Sequence, residues 1–214
     1  MELRLTKIAI FLAALIPLAR LAWKAFHDGL GANPIEVITH STGDWTLIFV
    51  LTTLSITPLR RITRQYWLIG VRRMIGLFAF FYGTLHFLTY IWLDKFFDVH
   101  EMLKDIGKRR FITVGFSAFV LMIPLALTST AWSIRRLGGK NWQLLHRLIY
   151  FTGILAVIHY YWQVKADHRK PIEYAIVLSI LLAYRVGVWA FEKASDKRKR
   201  PIIPAPAQSR VEVE

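Results

Sequence analysis

Three imidazoles lie inside or at the edge of strongly apolar segments: His86 in MIGLFAFFYGTLHFLTYIWL, and His146 and His159 in WQLLHRLIYFTGILAVIHYYW. An imidazole in hydrocarbon is expensive without a partner, so such residues mark a site. Iron is the partner that suits them, because imidazole nitrogen is an axial ligand of haem. His146 and His159 are thirteen residues apart, which on one helix is roughly 20 Å, about two thirds of a hydrocarbon core of roughly 30 Å. That leaves room for two haems stacked across a membrane, with a second helix supplying the opposite ligands. His86 supplies one of these. Fourteen residues before it stands Arg72, where a second histidine is expected.

The elements that must position these groups are apolar helices. A hydrophobic fraction of 55% and recurring apolar windows of about 15 to 20 residues exceed what a soluble core of 214 residues needs. The expected fold is therefore all-α: a polytopic membrane protein with a six-helix transmembrane bundle. The spans are read at 8–26, 45–59, 74–93, 111–128, 142–162 and 172–189, with Pro58 ending the second and Pro17 and Pro124 inside the first and fourth. Arg60, Arg61, Arg64, Arg72 and Arg73 fall between spans two and three, Arg135, Arg136 and Lys140 between four and five, and a basic run after six. By the positive-inside bias these loops and both termini are cytoplasmic. Trp23, Trp45, Trp92, Trp142, Trp162 and Trp189 sit near span ends, as an interfacial aromatic belt would. Residues 1–193 read as one membrane domain, and 194–214 as a basic, proline-rich, disordered cytoplasmic tail.

This topology matches depths in pairs. His86 and His159 lie toward the outer surface and are read as the axial ligands of one haem. His146 and Arg72 lie toward the cytoplasm, where His146 ligates a second haem and Arg72, another side chain, water or nothing stands on its other face. Arg72 can instead pair with a haem propionate, as can Arg73, Arg135, Arg136 and Arg147. Helical phase adds a demand. Thirteen residues leave His146 and His159 about 140° apart on an ideal helix, so a bend, a wide turn or a strong tilt is expected near Gly153.

Composition narrows the chemistry. The chain has no cysteine, which excludes disulfides, thiolate-held iron–sulfur clusters and covalent haem attachment through cysteine. The net charge of +14 gathers in short runs between apolar segments rather than along one face, which argues against a nucleic-acid partner. His27, His40, His100 and His168 are read as outer-loop residues with spacing too irregular for a metal site; His40, just before span two, is a candidate for lining an outer quinone or partner site.

The segments GLGANPIEVITHSTGDW, LSITPLRR, RRMIGLFAFFYGTLHFLTY and PLALTSTAWSIRRLGGKNWQLLHRLIYFTGILAVIHYYW, in this order over most of residues 29–165, resemble the YedZ/MsrQ family. That family lies within the ferric reductase-like transmembrane domain superfamily, which usually carries two histidines on each of two helices. This chain departs from that pattern at Arg72. The resemblance implies a haem b subunit in the bacterial inner membrane, part of a methionine sulfoxide reductase system rather than its substrate-reducing subunit. Electrons would come from membrane quinol or a cytoplasmic flavin reductase and pass to a periplasmic molybdopterin-containing subunit that repairs oxidised methionine. FMN is implied by the family alone. The superfamily's flavin and nicotinamide domain is not expected after span six, so electron source and substrate site are expected to be borrowed. Two other functions fit the residues: a stand-alone cytochrome b-type ferric or quinone reductase, and a non-haem transporter or assembly factor using its histidines for packing or proton movement.

Overall fold

Apolar stretches separated by charged turns marked with glycine and proline fold as helices throughout the computed structural model, which describes residues 2–199 and holds no strand among them. In chain order these are α1 (Glu2–Phe26), α2 (Pro34–Thr63), α3 (Trp67–Leu88), a π-helical turn (Thr89–Asp94), α4 (Val99–Lys108), α5 (Arg110–Leu127), α6 (Ala131–Leu137), α7 (Gly139–His146), α8 (Leu148–Gln163) and α9 (Arg169–Lys199). Among the described residues five stretches are long and apolar enough to cross a membrane: Arg4–Phe26, Trp67–Asp94, Arg110–Leu127, Gly139–Gln163 and Arg169–Ser195.

The sixth expected span is the centre of the bundle. α2 runs for 30 residues, starting eleven residues earlier than expected, because Asn33 caps it and Pro34 sits in its first turn. Pro58 does not end it; the helix continues to Thr63. Its polar look comes from Thr42, Thr46, Thr52 and Thr53, whose hydroxyls donate to carbonyls one turn back. Hydroxyls satisfied inside their own helix can be buried at little cost. Leu47, Val50, Leu54 and Ile56 of the same helix are almost wholly buried.

Packing then places the histidines. α2 lies along α3 and α5 along α8, while α3 meets α5 and α2 meets α8. The histidine-bearing α3 and α8 thus occupy one diagonal of a four-helix core, flanked by α2 and α5. α1 covers α3 and α2, and α9 covers α8 and α2.

α1 is held by an unusual rung. Pro17 interrupts its ladder, and the Tyr82 hydroxyl enters there, donating to Ala14 O at 2.8 Å and accepting from Leu18 N at 3.2 Å. Tyr82 is 1% exposed, so no water can replace it. Tyr82→Phe is expected to lower the melting midpoint of the purified protein, a loss of about 1–3 kcal/mol for stranding buried backbone groups. An unchanged midpoint would show that the rung carries no stability.

Several expectations change. The chain breaks after His146, at Arg147, rather than bending near Gly153. Gly153 instead lets α8 pack closely on α9: a Cβ there would meet Leu178 Cδ1 at 3.2 Å. Of the six tryptophans, Trp45 and Trp142 turn inward, Trp45 onto Phe49 and Tyr82, and Trp142 with its Nε1 donating to Thr128 O at 2.9 Å. α9 extends through Lys199, so the first six residues of the expected tail are helical. Residues 200–214 lie outside the described residues.

Candidate haem sites

The π-helical turn follows directly on the end of α3 that carries His86, and such wide turns cluster at functional sites. Thr89, its first residue, donates its hydroxyl to His86 O at 2.7 Å. Beyond it, α4 is fastened by an ion pair in which buried Asp105 takes Lys95 at 2.5 Å and Arg109 at 3.3 Å. The carboxylate holds the Lys95 ammonium above its ordinary value of 10.5.

At this end His86 and His159 line one cavity of about 300 Å³, predominantly apolar. Their ring centroids stand 6.0 Å apart. Two imidazole nitrogens each about 2 Å from one metal would put the ring centres roughly 6 Å apart, so the spacing fits a shared iron. Each ring is seated in the same way. His86 Nδ1 bonds Thr39 O at 2.9 Å and lies on Gly43; His159 Nδ1 bonds Phe111 O at 2.7 Å and lies on Gly115. In both, the accepting carbonyl is four residues before the glycine, one turn along the flanking helix. A Cβ on Gly43 would stand 3.1 Å from His86 Nδ1, and one on Gly115 2.5 Å from His159 Nδ1. A carbonyl at Nδ1 fixes its proton there and leaves Nε2 as the free donor atom, the state an axial ligand needs.

A second cavity, of about 580 Å³, lies at the opposite end and is lined by His146 and Arg72. His146 is the last residue of α7; its Nδ1 bonds Trp142 O at 3.0 Å and its ring stacks on Trp142 at 3.8 Å. Its Nε2 is buried without a hydrogen-bond partner. A buried orphan nitrogen asks for a ligand. Arg72 Nη1 reaches Thr57 Oγ1 at 3.4 Å, so the guanidinium is engaged by α2 as well as facing the cavity. Arg73 and Arg147 line this cavity too; Arg135 and Arg136 do not. Met122 of α5 lines both cavities, so the two sites adjoin through it.

The remaining histidines do not assemble. His40 lies on α2 rather than in a loop and lines the first cavity, its Nε2 3.2 Å from Gln163 Nε2. His100 is on α4, and His27 stacks on Trp23. Among the described residues no group of three or more acidic, histidine or cysteine side chains is placed to hold a free metal ion. Sequence reasoning missed Gly43 and Gly115, whose role depends on a neighbouring helix. It also missed Arg185, a guanidinium inside an apolar span, which intramembrane charge alone could have flagged.

The site residues fit haem on the chemistry of the donor set: imidazoles with Nδ1 engaged and Nε2 free, one pair in an apolar cavity and one ring in an arginine-lined cavity, without thiolate. Comparison with known proteins agrees. The family described as ferric reductase like transmembrane component matches residues 40–157, a stretch that includes His86 and His146 and stops two residues before His159. A protein-methionine-sulfoxide reductase heme-binding subunit MsrQ of Herminiimonas arsenicoxydans is 57% identical over 91% of this chain and 89% of its own length. The protein of the same name from Ralstonia nicotianae is 54% identical over 88% of each chain, and that from Rhodospirillum rubrum 49% identical over 86% of this chain and 88% of its own. No solved structure matches. With this family match, this identity and five apolar spans, the chain is a multi-pass membrane protein that belongs to the MsrQ family within the ferric reductase-like transmembrane proteins.

Proposed function

We propose that this chain carries electrons across the bacterial inner membrane through two b-type haems and delivers them to a periplasmic methionine sulfoxide reductase subunit that carries molybdopterin. The observation that supports this reading best is the repeated seating of the imidazoles: in both cavities Nδ1 is engaged by a backbone carbonyl, and Nε2 remains. Bound haem supplies a one-electron couple between ferric and ferrous iron. The protein's task is positional. His86 and His159, which share one cavity, would hold one haem, and His146 would hold the other, with Arg72 lining the same cavity. The apolar walls of the His86–His159 cavity keep water from it, whereas the His146 cavity is lined by arginines.

The arginine-rich end, with Arg60, Arg61, Arg72 and Arg73, is cytoplasmic in this reading, and the His86–His159 site is periplasmic. Electrons enter from membrane quinol or a cytoplasmic flavin reductase, and FMN is a further cofactor of the assembly. No side chain needs to act as acid, base or nucleophile for electron transfer itself. The full chain, purified from haem-replete cells and reduced, is expected to show two haems by pyridine haemochrome. Under anaerobic conditions it is expected to be fully reoxidised by methionine sulfoxide with a catalytic amount of the periplasmic subunit, and not by methionine sulfoxide alone or by that catalytic amount alone. Colourless protein, or a reduced spectrum indifferent to the complete mixture, would refute the proposal.

A further inference from the structure

Arg185 is the charge that the bundle leaves unanswered. It lies within the apolar stretch Arg169–Ser195 and faces the cavity of His146. Part of its role is structural. Pro58 has no N–H, so the carbonyl of Leu54 one turn earlier lacks its helical partner, and Arg185 Nη2 donates to it at 2.8 Å. Nη1 donates to Tyr150 Oη at 2.9 Å, and the guanidinium lies 4.9 Å from the Tyr150 ring centroid. A neutral amide could satisfy a carbonyl and a hydroxyl equally well. A permanent charge in an apolar span costs about 2.5–3.5 kcal/mol at mid-depth unless something offsets it.

The Tyr150 ring and the Leu54 carbonyl offset part of that cost, and no carboxylate among the described residues adds to that offset. Five guanidinium groups line this cavity, those of Arg61, Arg72, Arg73, Arg147 and Arg185, against a single carboxylate among the described residues, Glu192. That carboxylate is already engaged by Arg61 at 3.1 Å near the mouth. Arg185 has no carboxylate within ion-pair distance among the described residues, and its Nε is buried without an acceptor. The same cavity contains the orphaned Nε2 of His146. One wall thus presents a free imidazole nitrogen and another a guanidinium without a carboxylate partner. A porphyrin with carboxylate side arms answers both at once.

We propose that Arg185 anchors a propionate carboxylate of the porphyrin ligated by His146, and that its charge raises the potential of that haem. This rests on His146 being a haem ligand. A fixed positive charge beside the macrocycle stabilises the reduced iron relative to the oxidised, so removing it lowers the midpoint.

The test compares the full-length wild type, Arg185→Gln, Arg185→Lys and His146→Ala. The readouts are pyridine haemochrome counts, optical redox titration, haem transfer to apomyoglobin and fluorescence of released flavin. Glutamine keeps a side-chain N–H donor and loses the charge. Arg185→Gln is expected to shift one midpoint downward and speed transfer of that haem several-fold, leaving the His86–His159 haem unchanged as the control for folding. Arg185→Lys should recover most of the midpoint. A glutamine variant with wild-type midpoints and transfer would overturn the anchor and leave Arg185 a carbonyl pin. So would loss of flavin with both haems unaltered, which would identify the anion as a phosphate. A wild type holding one haem, retained in His146→Ala, would remove the ligand reading and the anchor with it.

Discussion

Replacing either His86 or His159 by alanine is expected to abolish one and the same low-spin haem, reducing the haemochrome count from two to one. The rings share a cavity at 6.0 Å, and each is fixed through Nδ1 by a different flanking helix. A haem held by both would lose one of its two imidazoles in either variant and be too weakly held to survive purification. Because the two act on one metal, their effects should not add: the double variant should match each single one. His146→Ala should remove the other haem and spare this one, since His146 lines a separate cavity. Two intact low-spin signals in either His86→Ala or His159→Ala would disprove the pairing.

That the His86 and His159 rings meet at one end of the bundle was legible because it depends on rise per residue. Helical arithmetic sorts His86, His146 and His159 by depth once the spans are known. The choice of diagonal was not legible, since it follows from which helices pack together. Phase was half legible. A departure from one straight helix between His146 and His159 is required by the 140° mismatch, and the chain makes it at Arg147 by ending α7 and starting α8. Gly153 draws the eye as the flexible residue, yet its missing side chain serves contact with α9. α2 was underestimated for a related reason. Proline and threonine read as breakers in a sequence window, but the threonine hydroxyls fold back on their own helix, and the carbonyl stranded by Pro58 is satisfied by Arg185. Both compensations are tertiary or need the helix to exist first, so the short window at 45–59 was what remained visible.

Gly115→Ala is expected to have an effect approaching that of removing His159 itself. A methyl there would stand 2.5 Å from His159 Nδ1, 2.7 Å from Cε1 and 3.0 Å from Cγ, so the whole ring is in the way. The ring cannot slide freely, because Nδ1 is bonded to Phe111 O on the same helix face one turn earlier. Nor can α8 retreat from α5 without opening their shared packing. Overpacking of this kind costs about 1–3 kcal/mol, so haem retention at this site should weaken roughly tenfold to a hundredfold. Gly43→Ala should do the same to His86 more mildly, since its methyl would stand 3.1 Å away and a shift of a few tenths of an ångström relieves it. The order Gly115→Ala worse than Gly43→Ala, with the His146 haem unaffected by both, distinguishes a cradle for the rings from general destabilisation. Haem transfer to apomyoglobin measures it. Equal and wild-type retention in the two variants would mean that the imidazoles do not rest on these glycines when the iron is bound.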